Sequence, residues 1–167
     1  MSDHYNLTIE PLNPAHDRTG FYCGVDALDR YLKQQAMQDV KRSISRVYVA
    51  VKPDNNERVE GYYTLSSLSI EVNHLPVNVS KKLPKHHIPA ALIGRLAVCQ
   101  TAQGNGVGRM LLVDAVKRTL AISSEIAIYA IVVDAINEKA MRFYEQFGFS
   151  TLCDERLRMF LPLKSFA

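Results

Sequence analysis

Apolar positions along the chain repeat with two periods. Between 24 and 42, Leu28, Leu32, Ala36 and Val40 fall at four-residue steps, which predicts a helix with one apolar face. Over 45–53, Val47, Val49 and Val51 alternate with other residues, as a strand does when one side is buried. The polar run Asp54 to Glu57 predicts a turn, and 58–72 predicts a long returning strand, so the pair reads as a hairpin. Pro76, Pro84 and Pro89 forbid a long regular element between 73 and 90. Residues 92–99 read as a buried strand, and 103–108 as a glycine-rich turn that opens a helix ending near Ile122. The β-branched run 126–135 suits a central strand. Asn137 is a good helix cap, and Ala140, Phe143, Tyr144 and Phe147 follow at helical spacing, with Gly148 as a stop. Short strands at 6–12 and 155–163 begin and end the series. The order is β, α, a run of strands, then β-α-β-α-β, which predicts one mixed sheet flanked by helices.

Length and composition change this picture little. The chain has 167 residues, 47% apolar and 22% charged, so a single domain spanning 1–167 is expected. Cys23, Cys99 and Cys153 are scattered and form neither a disulfide framework nor a metal signature. The first residues carry no signal-peptide pattern, and no apolar stretch approaches a membrane span. A cytoplasmic protein without membrane attachment is expected. Charge is more informative in its distribution than in its net value of +3. From Val72 to Val113 there is no Asp or Glu, whereas Lys81, Lys82, Lys85, Arg95 and Arg109 fall inside that span with His74, His86 and His87. An acid-free basic tract suits an anionic partner.

The glycine turn lies within this tract. Its residues are Gln103, Gly104, Asn105, Gly106, Val107 and Gly108, followed by Arg109. A dinucleotide fingerprint needs a third glycine where Arg109 stands, and a P-loop needs Lys-Ser or Lys-Thr after the glycines. Both readings fail. The physics of the turn remains. A helix N-terminus presents unbonded N–H groups and partial positive charge, and glycine lets an anion approach the backbone. These six residues alone leave a phosphate cradle and a plain strand-to-helix connection equally open.

A second motif follows one helix and one strand later: Asn137, Ala140, Phe143-Tyr144-Glu145, then Gly148-Phe149. The turn, read as Q/R-x-x-G-x-G/A, and this second motif together resemble the GNAT superfamily of acyl-CoA-dependent N-acyltransferases. Within it, "LDRYL", "GYYTLSS", "PAALIGRLAV", "IVVDA" and "FYEQFGF" are similar to the acetyltransferase toxins of type II toxin–antitoxin systems, which acetylate aminoacyl-tRNA and block translation. The resemblance implies an α+β GNAT fold: a central, mixed, mostly antiparallel sheet of six to seven strands with about four helices. It implies acetyl-CoA as co-substrate. The pyrophosphate would lie on Gln103 to Arg109, and the pantetheine arm beside backbone groups of Ala97 and Val98, with Asn137 as a further contact. Finally, it implies aminoacyl-tRNA as acceptor, a homodimer, and a neutralising antitoxin of the ribbon-helix-helix kind.

Acetyl transfer needs a neutral amine, a polarised thioester carbonyl and a proton for the departing thiolate. A lysine amine with pKa ~10.4 requires a base, whereas an α-amine near ~7.7–8.0 is substantially neutral already. No His, Asp or Glu falls within the glycine motif or its strand, which fits an α-amine acceptor. Glu71 is a weaker candidate base. Periodicity alone would make Tyr144 a core tyrosine of an amphipathic helix; the resemblance implies that it is the general acid, a phenol of pKa ~10 able to protonate a thiolate. Backbone N–H around Val98 would polarise the thioester oxygen. His86 and His87 lack further ligands, so no metal is expected. Lys81, Lys82, Lys85 and Arg95, with Lys41, Arg42 and Arg46, are candidate tRNA phosphate contacts. Two other readings remain: transfer to a small amine, an antibiotic or a protein N-terminus, and a non-catalytic acyl-CoA-binding module, which would need no proton donor.

Overall fold

A computed structural model describes residues 6–152 and 155–166. Cys153 lies outside them. In chain order the elements begin with β1 (Thr8–Pro11), α1 (Asp26–Arg30), a π turn (Tyr31–Gln35), α2 (Ala36–Lys41), β2 (Arg46–Val51) and β3 (Gly61–Ile70). Then come the short α3 (Val77–Ser80), β4 (Ile88–Ile93), β5 (Leu96–Val98) and α4 (Val107–Ile122). The chain continues with β6 (Ala130–Asp134), α5 (Glu138–Glu145), β7 (Ser150–Leu152) and β8 (Glu155–Pro162). The strands make a mixed, mostly antiparallel sheet, with β4–β6 as the parallel pair among the described residues. The chain divides into two compact units, 1–65 with 95–116 and 66–94 with 117–167.

In the first unit β1 pairs with β2, β2 with β3, and β3 with β5, all antiparallel. Leu28, Leu32 and Ala36 are buried with Val47, Val49 and Val51 in one core. A strict four-residue step drifts around an ideal helix of 3.6 residues per turn. The π turn at Tyr31–Gln35 uses more residues per turn, which keeps the stripe on one side. Tyr62 closes the same core and donates its hydroxyl to the Leu28 carbonyl at 2.7 Å.

In the second unit the end of β3 pairs with β4, β4 with β6, β6 with β8, and β8 with β7. Ala130, Ile131, Val132 and Val133 of β6 are all buried, which accounts for the unbroken apolar run that marked a central strand.

The structure differs from the sequence reading in its strands: among the described residues the sheet has eight rather than six to seven, and the run 126–135 is strand only over Ala130–Asp134. Two differences raise the count. The expected strand 92–99 is two strands. β4 starts four residues earlier, at Ile88, and ends at Ile93, and β5 resumes at Leu96. Pro89 is accommodated near the start of β4, where a missing N–H costs little. Second, Ser150–Leu152 forms β7, which three residues without alternation could not announce.

Candidate active site

The first unit holds β5 and the glycine turn. Cys99 N–H donates to the Glu60 carbonyl at 2.8 Å, and Thr64 N–H donates to the Arg95 carbonyl at 3.0 Å. Bonded pairs alternate along an antiparallel ladder, so Tyr62 and Ala97 form the bonded pair between these two. Ala97 therefore spends its backbone groups on β3. Leu96 and Val98 direct theirs to the opposite edge, where no strand pairs with β5 among the described residues. Of the two residues expected to meet the cofactor arm through the backbone, Val98 is oriented to do so. Ala97 is not, and its neighbour Leu96 turns its backbone groups to that edge instead.

Two other residues keep this edge in order. Gln103 donates through Nε2 to the carbonyls of Val98 and Cys23, both at 2.9 Å. Its side-chain donors thus hold the protein together rather than face a ligand. Gly61 permits the close packing behind β5: a Cβ there would stand 3.0 Å from the Ala97 carbonyl oxygen and 3.0 Å from Leu111 of α4. Sequence reasoning passed over Gly61, although a glycine inside a strand signals close approach.

Gly104 and Gly106 adopt φ of +82° and +79°. A Cβ at either would meet nothing within 4 Å, so backbone conformation, not space, calls for glycine. Asn105 turns its Nδ2 inward to the Ala102 carbonyl at 3.2 Å and closes the loop. The first bond of α4 runs from Met110 N–H to the Gly106 carbonyl at 3.0 Å. The N–H groups of Val107 and Gly108 thus stand in the first turn, ahead of the first intrahelical bond, as at every helix start. The result is a positive helix end following an open strand edge, all in one unit. Such an arrangement accepts a phosphate at the turn and a carbonyl oxygen at the strand.

The second unit holds Asn137 and Tyr144. Asn137 caps α5, its Oδ1 accepting from Ala140 N–H at 2.9 Å. Tyr144 is 4% exposed and packs edge-on to Phe143 and Phe149. Burial, with the negative charge of Asp134 second, pushes its phenol well above the ordinary range, so the proton is held. Asp134 is itself clamped by Arg158, with Nε donating to Oδ1 at 2.7 Å and Nη2 to Oδ2 at 3.1 Å. Glu71 lies at a cavity of about 230 Å³ that His74, His87 and Arg158 also line, and it pairs with His74 at 3.5 Å.

The expected phosphate contacts divide into two kinds. Lys81, Lys82 and Lys85 are exposed on the loop between α3 and β4 in the second unit. Lys41, Arg42 and Arg46 are exposed in the first, where Arg95 is half-buried against a tyrosine ring.

A family model described as an acetyltransferase (GNAT) domain matches residues 43–151. The chain belongs to the GNAT acetyltransferase family. This GNAT chain is 37% identical over 164 residues to a probable toxin TacT of Sinorhizobium fredii, with 93% of this chain and 90% of that protein covered. It is 33% identical over 153 residues to a tRNA-acetylating toxin of Mycobacterium tuberculosis, covering 92% and 90%. The solved structure of AtaT complexed with acetyl-methionyl-tRNAfMet matches it with a TM-score of 0.89 at 33% identity, over 96% of this chain and 97% of that one. A variant of AtaT bound to the C-terminus of the antitoxin AtaR and acetyl-CoA matches with a TM-score of 0.82 at 30% identity, over 95% and 94%. The match from residue 43 to 151 takes in the glycine turn, Asn137 and Tyr144. No helix among the described residues is long and apolar enough to cross a membrane.

Proposed function

We propose that this GNAT acetyltransferase transfers the acetyl group of acetyl-CoA to the α-amino group of aminoacyl-tRNA, and so acts as a translation-blocking toxin. The observation that carries this reading is the likeness to AtaT in complex with acetyl-methionyl-tRNAfMet, which runs over nearly the whole of both chains.

The first unit supplies the acetyl donor's site. The pyrophosphate of acetyl-CoA lies on the N–H groups from Gly104 to Arg109, at the positive end of α4. The pantetheine arm runs along the open edge of β5, where Val98 N–H stabilises the oxygen of the thioester as it becomes tetrahedral. The acceptor α-amine, its basicity lowered by the adjacent ester, attacks without a strong base. The carbon–nitrogen bond forms, the carbon–sulfur bond breaks, and the amine's surplus proton passes to water. Tyr144 gives its proton to the departing thiolate. Asn137 touches the cofactor while capping α5. The chain works as one catalytic domain in the cytoplasm, as a homodimer. Its antitoxin is a small ribbon-helix-helix protein.

The test is incubation with labelled acetyl-CoA and total aminoacylated tRNA. Label on the α-nitrogen of the aminoacyl group is the expected result. Label confined to free amines or protein would move the acceptor elsewhere, and no transfer at all would end the enzymatic reading.

A further inference from the structure

The first unit carries a cluster that acetyl transfer itself does not use. Arg95, the residue before β5, lays its guanidinium on the ring of Tyr31, with the central carbon 3.6 Å from the ring centroid. That separation is the stacking distance of two flat groups. Tyr31 is 6% exposed and opens the π turn, a local form frequent at functional sites. Its hydroxyl donates to Asp39 Oδ2 at 2.8 Å, and Gln35 Nε2 donates to Asp39 Oδ1 at 2.9 Å. Burial alone would raise the Asp39 carboxyl. The bonds from Gln35 and Tyr31 and the charges of Arg95 and Arg42 outweigh it and hold the group ionised. The ring is thus fixed from behind, and the carboxylate attracts the guanidinium to it.

The main chain of Arg95 is fixed as well. Its N–H donates to Thr64 Oγ1 at 3.0 Å, and its carbonyl accepts from Thr64 N–H at 3.0 Å. No buried side-chain nitrogen or oxygen among the described residues lacks a partner, so the unbonded donors of this half-buried guanidinium meet solvent. One face of the guanidinium is covered by the Tyr31 ring. Lys41, Arg42 and Arg46 are exposed in the same unit.

A planar cation held on a ring, with donors that meet solvent and Arg42 acting on the same carboxylate, suits an unpaired nucleobase next to a phosphate. Bases of single-stranded RNA stack on aromatic rings and on arginine planes. Arg95 also adjoins Leu96, whose backbone faces the open edge of β5. We propose that Arg95, held flat on Tyr31, is the stacking platform for the terminal unpaired nucleotide of the aminoacyl-tRNA. A nucleotide stacked there brings its aminoacyl ester to the strand edge that polarises the thioester. Tyr31 and Asp39 are positioning residues in this arrangement. The inference rests on tRNA being the acceptor.

The probe is a tRNA with 2-aminopurine at its 3′-terminal position, whose fluorescence is quenched by stacking. The wild-type protein should quench it on binding. Arg95→Lys keeps the charge and loses the plane. It should bind without quenching, and its KM for aminoacyl-tRNA should rise roughly tenfold or more, the scale of one base stack. Acetyl-CoA affinity, measured by calorimetry, should stay at the wild-type value. Quenching and KM unchanged in Arg95→Lys would reduce Arg95 to a point charge and overturn the platform, as would wild-type binding without quenching. Loss of acetyl-CoA affinity together with thermal stability would make Arg95 a structural residue and overturn it too. Failure of the wild type to acetylate any aminoacyl-tRNA would remove the acceptor reading and the platform with it.

Discussion

Tyr144 concentrates the chemistry in one oxygen. Its ring packs with Phe143 and Phe149 whether or not the hydroxyl is present, so Tyr144→Phe should fold with little loss of stability. Only the proton donor goes. General acid catalysis is worth about 10²–10⁴-fold, and kcat should fall within that range while acetyl-CoA affinity holds. Turnover at the wild-type rate in a variant that binds the cofactor would make the residue a packing tyrosine. The pH dependence follows from the direction of the shift. Burial and Asp134 raise the phenol above its usual ~10, so its proton stays in place at pH 10. The acceptor amine is the group that titrates lower. We expect kcat/KM to climb as that amine loses its proton below about pH 8, then to stay level past pH 10. An alkaline fall centred below pH 10, absent from Tyr144→Phe, would contradict this placement of the proton. The same shift bears on stability. A raised pKa in the folded state stabilises below the unfolded value, and that contribution is lost as pH climbs above it.

At the scale of elements, what was legible depended on whether periodicity or register carries the information. The stripe from Leu28 to Val40 and the alternation of Val47, Val49 and Val51 mark faces, and those faces are buried where expected. The break at Gly94 and Arg95 is another matter. Residues 92–99 are apolar enough to pass as one strand, and only pairing shows that β4 and β5 take different stretches of β3. The same limit explains Ala97. The family resemblance implies that it lies beside the cofactor arm, but which of two neighbouring residues turns its N–H outward is a question of register. The glycine turn was legible as a helix start, yet its two left-handed residues were not separable from Gly108, which lies inside α4. That distinction sharpens a test. Asp tolerates a left-handed backbone better than most side chains, and its charge complements a helix N-terminus. Gly106→Asp should therefore keep its melting temperature within a few degrees while repelling the pyrophosphate. Acetyl-CoA binding should weaken by roughly a hundredfold or more, about 3 kcal/mol. Wild-type affinity in calorimetry would move the cofactor away from this turn.

For the molecule as a whole, the decisive quantity is where charge lies rather than how much there is. A net charge of +3 spread evenly over 167 residues would attract a polyanion weakly. Here the 42 residues from Val72 to Val113 hold no acid, and Lys81, Lys82 and Lys85 stand exposed on one loop within them. Each lysine that neutralises a tRNA phosphate releases a counterion, so binding weakens as salt rises, with a slope that grows with the number of phosphates neutralised. Reversing all three to Glu should lower tRNA affinity at every salt concentration and flatten the slope by roughly one unit or slightly less for each phosphate no longer neutralised. The loop is not part of the glycine turn or of β5, so acetyl-CoA affinity should be untouched. The two affinities thus separate electrostatic docking of the acceptor from cofactor binding. A lower affinity with an unchanged slope would mean that the lysines act through loop conformation rather than through phosphate. An unchanged affinity would clear the loop and leave docking to Lys41, Arg42, Arg46 and Arg95 in the first unit.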